Sequence, residues 1–140
     1  MGSLHYPRRS YIKDVAGSWF SLHADRRTTQ DDRVTIPADV RAEIGFSDLS
    51  PEEQEKWSKE FAHTSAVLFE GTSEYEPWND GVPCAYIFTE DDGALPYPLQ
   101  QQLATQLGPN APTASLKANH SPFLSVPKEL LEAVEKLVVV

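Results

Sequence analysis

Apolar and polar positions follow several distinct rhythms along these 140 residues. The clearest lies in the first half, where Ser50 stands as an N-cap, Pro51 takes the first helical position and Glu53 completes a capping box. Trp57 and Phe61 then share one face, while Glu52/Lys56 and Glu55/Lys59 are spaced as i,i+4 ion pairs. That pattern predicts a helix over residues 51–62. Ile36–Val40 predicts a single helical turn before it, and Ser65–Phe69 a second short helix stopped by Gly71. Residues 74–81 are rich in turn formers. Val82–Thr89 is a continuous apolar run with little alternation, as expected for a parallel strand covered on both faces. Pro83 fits near its first residue, where no ladder donor is needed. Pro98 opens another helix, with Leu99, Leu103 and Leu107 on one stripe and Gly108 as its stop. Residues 113–118 predict a short strand, and a last helix starts near Pro127. Its buried face is expected to hold Leu130, Leu131, Val134, Leu137 and Val138, opposite Glu132 and Glu135.

From residue 82 onward the order is strand, acidic loop, helix, strand, histidine loop, helix. That order predicts an α/β arrangement, a parallel strand pair joined by a right-handed helical crossover. In open α/β sheets ligand sites lie outside the carboxyl ends of the strands. The first strand runs into Glu90-Asp91-Asp92-Gly93, and the second into Asn119-His120-Ser121-Pro122. Residues 1–33 carry no helical or strand period and read as a flexible arm, with Trp19-Phe20 docking locally. The expected organisation is an arm over 1–33, a helical segment over 34–78 and a βαβα part over 79–140.

Charge changes the picture in one respect. The arm holds six Lys/Arg against four Asp/Glu, whereas residues 34–140 hold six against seventeen, which yields the net charge of −9. An acidic body disfavours nucleic acid, because phosphate contact needs a basic face. Arg8-Arg9 and Arg26-Arg27 are short enough to be solvated surface, a basic recognition tail being the alternative. The single cysteine, Cys84, excludes an intrachain disulfide, suits a reducing compartment and reads as a buried, inert thiol. No secretory h-region and no run long enough to span a membrane occur, so a soluble cytoplasmic protein without a membrane partner is expected. Met1-Gly2 opens like a myristoylation signal, but Tyr6 replaces the required hydroxyl residue.

The candidate chemistry sits on the two loops. A carboxylate at a strand's end holds an imidazole in one tautomer and stabilises its charged form, so that the ring serves as a general base. Asp91 and Asp92 compete for the acid, since only one carboxylate orients the Nδ1–H; an Asp-Asp-Gly turn without catalytic duty is the plainer reading of those residues. His120 is the sole histidine of the C-terminal half; His5 and His23 fall in the arm and His63 at a helix end. No His/Cys/carboxylate group has metal-ligand spacing.

These loops resemble a known family. Tyr86-Ile87-Phe88-Thr89-Glu90-Asp91-Asp92-Gly93-Ala94-Leu95-Pro96, followed by Gln100, is similar to the acid loop of α/β-hydrolases. Asn119-His120-Ser121-Pro122-Phe123-Leu124-Ser125-Val126-Pro127 resembles the histidine loop of the methylesterase and hydroxynitrile-lyase-like branch, including its fungal members. Phe46-Ser47-Asp48-Leu49-Ser50-Pro51-Glu52-Glu53 with Trp57 resembles the helical cap of the fungal members. The resemblance covers roughly residues 30–140. It implies an incomplete α/β-hydrolase-like parallel sheet with a helical lid, Asp92 as triad acid and His120 as base. Asp92 lies six residues after Tyr86 and four before Pro96, as the motif requires. The resemblance further implies no cofactor and no metal, with Trp57, Phe61 and Phe69 walling a pocket for a small hydrophobic ester-like molecule.

One part of the family pattern is missing. The nucleophile belongs in Gly-x-Ser-x-Gly on a strand-to-helix turn. Neither Gly17-Ser18 nor Gly71-Thr72-Ser73 matches it, and no His-Gly-type oxyanion segment is found. Ser121 adjoins His120 too closely to reach Nε2, and Ser125 is expected to cap the last helix. The expectation is therefore the lid plus the C-terminal part of a hydrolase, lacking a nucleophile serine. A non-catalytic homologue is the second reading, acting through ligand binding, as a homodimer, or by pairing with a complementing chain along an exposed sheet edge.

Overall fold

A computed structural model describes residues 28–65 and 75–138. They divide between two units, residues up to 37 with 62–76, and residues 38–61 with those from 77 onward.

In the first unit, β1 (Thr28–Gln30), β2 (Arg33–Thr35) and β3 (Thr64–Ser65) form an antiparallel sheet in the order β1-β2-β3. The β1–β2 hairpin turns on Asp31 and Asp32, both with left-handed φ (51° and 60°), a conformation that Asp tolerates and that matches strand twist. Gln30 pairs with Arg33 across this two-residue turn, and Arg33 pairs with Ser65 on the other side. The arm expected through residue 33 thus gives way to a strand at residues 28–30; residues 1–27, including Trp19-Phe20, lie outside the described residues. Ser65, expected to begin a helix, is a strand residue instead, and the rest of that expected helix, with Phe69 and Gly71, lies outside the described residues.

The second unit begins with α1 (Ala38–Gly45), longer than the single turn expected, and α2 (Pro51–Glu60). Ser50 Oγ accepts the Glu53 N–H at 3.3 Å while the Glu53 carboxylate accepts the Ser50 N–H at 3.3 Å, the reciprocal capping box of the sequence. Of the two expected ion pairs on α2, Lys59–Glu55 forms at 2.6 Å, whereas the Lys56 ammonium lies over the Trp57 ring at 4.6 Å. After a 3₁₀ turn (Pro77–Asp80) comes β4 (Tyr86–Thr89), then α3 (Tyr97–Ala104), a second 3₁₀ turn (Thr105–Leu107) and β5 (Thr113–Leu116). Gly108 ends the α3 segment at φ 96°, a value that excludes most side chains. Two final helices follow, α4 (Pro122–Ser125) and α5 (Pro127–Val138).

β4 and β5 pair in parallel, with Tyr86 opposite Thr113 and Thr89 opposite Leu116. The strand expected over 82–89 starts four residues later, after Pro83, and its residues Tyr86–Phe88 are only half-buried. Behind β5 the core is small: Leu116, Ala118 and Ala133, flanked by Ile87, Ala114, Val126 and Leu130. The apolar face predicted for α5 is accordingly corrected. The helix docks through Ala133 and Leu130, while Leu131, Val134 and Val138 remain exposed because no described layer covers them. Ser125 is likewise not a cap of α5. It is the last residue of α4, and its buried Oγ has no hydrogen-bond partner. No helix of the described residues is long and apolar enough to cross a membrane.

Candidate active site

The carboxyl ends of β4 and β5 carry the two loops singled out above. Backbone bonds continue the ladder past the strands, with Glu90 N–H donating to Leu116 O (2.9 Å) and Asp91 N–H to Ala118 O (3.1 Å). Glu90 and Asp91 then form an exposed turn, and Asp92, the next residue, is buried. The Asp92 side chain is 3% exposed and its Oδ2 and Oδ1 lie 3.0 and 3.1 Å from His120 Nδ1.

Asp92 is tightly held. Oδ1 accepts the N–H groups of Ala94 (2.8 Å) and Leu95 (2.7 Å), and Oδ2 accepts the Thr89 hydroxyl (2.8 Å). Burial pushes its carboxyl up, but that is outweighed by the His120 hydrogen bond, the Leu95 N–H, the His120 charge and the Thr89 hydroxyl. The net result lies below the ordinary carboxylate range, so Asp92 is an anion at neutral pH. A carboxylate only accepts, which makes Nδ1 the protonated nitrogen of the neutral ring and leaves the lone pair on Nε2. The His120 side chain is 52% exposed. Tyr86, whose ring is tilted 41° to that of Phe88 at 4.8 Å between centres, has its phenol pushed up by burial and by the Asp92 charge.

Two amides that sequence reasoning gave no role surround this pair. Gln100 on α3, 1% exposed, accepts the Thr89 N–H (2.9 Å) and donates to Thr89 O (2.8 Å) and Leu95 O (2.7 Å). It imitates a neighbouring strand at the last residue of β4. Asn119, also 1% exposed, accepts from the N–H groups of Gly93 (3.2 Å) and His120 (2.6 Å). Neither amide shows in the apolar rhythm: Gln100 opens a Gln-Gln-Gln run that reads as solvated, and Asn119 stands in a polar loop. The one available signal was their place inside the two family motifs.

The loop after β4 also packs against α1. A Cβ on Gly93 would lie 3.1 Å from Ile44 Cα and 3.2 Å from Ile44 O, so the loop touches the α1 backbone. Of the expected pocket residues, Phe61 is exposed and meets Phe46 edge-on at 6.4 Å, with the Arg41 guanidinium 5.4 Å from its ring centre. Phe61 lines a groove of about 580 Å³ between α1 and α2, together with Arg41, Gln54, Glu55 and Lys59. Trp57 is half-buried under Lys56 and is not among that groove's lining residues. Two further cavities, about 860 Å³ around Trp78, Val82 and Leu107 and about 400 Å³ between β5 and α5, are likewise not lined by Asp92 or His120. Among the described residues no group of three or more His, Cys, Asp or Glu is placed to hold a metal ion.

Solved structures share this architecture. Polyneuridine aldehyde esterase superposes with a TM-score of 0.67 at 17% identity, covering 85% of this chain and 54% of that one. A pyrethroid hydrolase from Sphingobium faniae JZ-2 gives 0.66 at 24% identity, covering 86% of this chain and 49% of that one. The pyrethroid hydrolase PytH with BIF gives 0.66 at 23%, with the same coverages. The chain shares part of the α/β fold of these hydrolases and esterases. The chain spans about half the length of these structures. No family model matches it, and no curated protein does.

Proposed function

We propose that this chain carries the acid and base of an esterase-type α/β-hydrolase site, Asp92 orienting His120, for cleaving an ester or related bond in a small apolar molecule. The observation that carries the reading is the 3.0 Å contact between a buried, fully hydrogen-bonded Asp92 and the Nδ1 of a half-exposed His120. An imidazole held in this way presents a basic Nε2 outward. Nε2 takes the proton from a hydroxyl as that oxygen attacks the ester carbonyl, and Asp92 stabilises the imidazolium. The proton then passes to the leaving alkoxide as the carbonyl re-forms. This chemistry needs neither metal nor cofactor.

Within that fold we assign the chain, on its two loop motifs, to the methylesterase and hydroxynitrile-lyase-like branch of fungal type. The substrate class draws support from a pyrethroid hydrolase and polyneuridine aldehyde esterase among the similar folds. Trp57 and Phe61, on and just after α2, are assigned to an apolar wall in a lid-like segment; Phe69, expected with them, lies outside the described residues. The attacking hydroxyl comes from water or from a serine outside these 140 residues, which hold no Gly-x-Ser-x-Gly. A cytoplasmic location is part of the same reading. That missing motif also favours a second reading, a non-catalytic homologue that binds a small molecule, forms a homodimer, or pairs with a complementing chain through the β4–β5 edge.

Short-chain aryl esters separate the two. Lacking a serine nucleophile, the isolated chain is expected to be inactive; turnover that is lost in His120→Ala and lowered in Asp92→Asn, where Nδ1 no longer faces an obligate acceptor, would establish the hydrolytic reading for this chain alone. Hydrolysis equal to buffer, or insensitive to both changes, overturns the hydrolytic reading for this chain alone and leaves the binding one.

A further inference from the structure

Asn119 engages both ends of its side-chain amide, and its backbone N–H, inside the site. Its Oδ1 takes two backbone donors, His120 N–H at 2.6 Å and Gly93 N–H at 3.2 Å. Because both partners donate, the oxygen, and not the amide nitrogen, must face them. The Nδ2 group donates to Ser47 Oγ, and the Asn119 backbone N–H donates to Asp48 Oδ2 at 2.8 Å. One buried side chain therefore ties three loops: the acid loop beside Asp92, the base loop at His120, and the α1–α2 loop at Ser47-Asp48.

We infer that Asn119 is a positioning residue for the His120–Asp92 pair, fixing the histidine through a shared side-chain oxygen, and that Ser47 and Asp48 lock this amide in place. The His120 ring is half-exposed, so packing alone does not hold it. Its position rests on Asp92 at the ring and on Asn119 at the backbone. The oxygen that receives His120 also receives the residue after Asp92, so the acid and the base shift together. The α1–α2 loop, which the proposed reading places in the lid, is thereby coupled to the base. The functional consequence rests on that reading; the tie itself does not.

The test reads the His120 ring directly, by long-range ¹H–¹⁵N correlation spectra of the labelled full chain at a pH where imidazole is neutral. The wild type is expected to show the single Nδ1–H tautomer. Asn119→Ala is expected to lose it to a mixture of tautomers, and Asn119→Asp, which keeps an oxygen for both N–H groups, to retain it. Ser47→Ala, at an exposed position, is expected to give a smaller loss in the same direction. A folded Asn119→Ala with the wild-type ring spectrum overturns the inference. If Asn119→Ala does not fold, a wild-type ring spectrum in Ser47→Ala overturns it. The tautomer is read without substrate, so a failed hydrolysis assay and a failed positioning test are separate results.

Discussion

Replacing Gln100 by leucine strikes the point where the β4 strand becomes the acid loop. Gln100 supplies the acceptor for Thr89 N–H and donors for Thr89 O and Leu95 O, at 2.9, 2.8 and 2.7 Å. Leucine fills similar space but offers none of these. Thr89 is itself buried, so water does not replace the amide. Leaving a buried donor or acceptor unpaired costs about 1–3 kcal/mol each. Taking the low end for the two carbonyls and the middle for the N–H, then allowing about 1 kcal/mol for added apolar burial, the loss is about 2–4 kcal/mol. In urea, with a slope of about 2 kcal/mol per molar, the midpoint falls by roughly 1–2 M. Tryptophan fluorescence follows the transition, since Trp57 and Trp78 are half-buried in the same unit. Gln100→Glu sharpens the test. One oxygen still accepts from Thr89 N–H, but the other faces two carbonyls and must carry a proton to donate. Its folded-state pKa is raised above the unfolded value of about 4.3, so its stability relative to wild type is full below that value and lost as pH rises through the raised one. A midpoint shift in Gln100→Leu worth less than about 1 kcal/mol would refute the claim that this amide substitutes for a strand.

Two further outcomes follow from the same loops. Asp92 has a depressed folded-state pKa, so its contribution is present above the unfolded value of about 3.9 and lost as pH falls through the folded one; urea midpoints measured between pH 6 and 2 should fall less steeply in Asp92→Asn, and parallel slopes would contradict the assignment. Gly93→Ala forces a methyl against the α1 backbone at 3.1–3.3 Å, a clash expected to cost about 1–3 kcal/mol and visible as a lowered melting temperature; an unchanged melt would mean the loop moves freely.

Elements with local chemical punctuation were legible in the sequence. The α2 capping box, the stop at Gly108 and the proline at the start of α5 each encode their conformation within a few residues. The parallel pairing of β4 and β5 followed from element order. What escaped depends on partners distant in sequence. Asp31-Asp32 falls within the stretch read as a flexible arm until β2 is seen to pair with β1. Leu131 and Val134 read as core because periodicity records which residues share a face, not whether anything covers it. Asp92 and His120 were found by their place at strand ends and by motif, while Asn119 was passed over because its partners at Ser47 and Asp48 lie more than seventy positions away.

The largest fully buried side chains of the described residues are two amides, Gln100 and Asn119, not hydrocarbons. The apolar cluster behind β5 is built mainly from alanine and leucine and ends short of the loops. Dispersion and burial there orient the sheet but do not specify where an acid and a base meet. That task falls to a continuous polar chain: Leu95 and Thr89 to Gln100, Thr89 to Asp92, Asp92 to His120, His120 and Gly93 to Asn119, and Asn119 to Ser47 and Asp48. Such a network is directional, so each member has one satisfactory arrangement, and a missing member leaves its neighbours buried and unpaired. Changes at Gln100 and Asn119 should therefore combine non-additively although the two residues act on different loops, because Asp92 lies between them in the chain of bonds. An apolar core of equal stability would tolerate such changes one at a time; a polar one holds the geometry of the pair as a single unit.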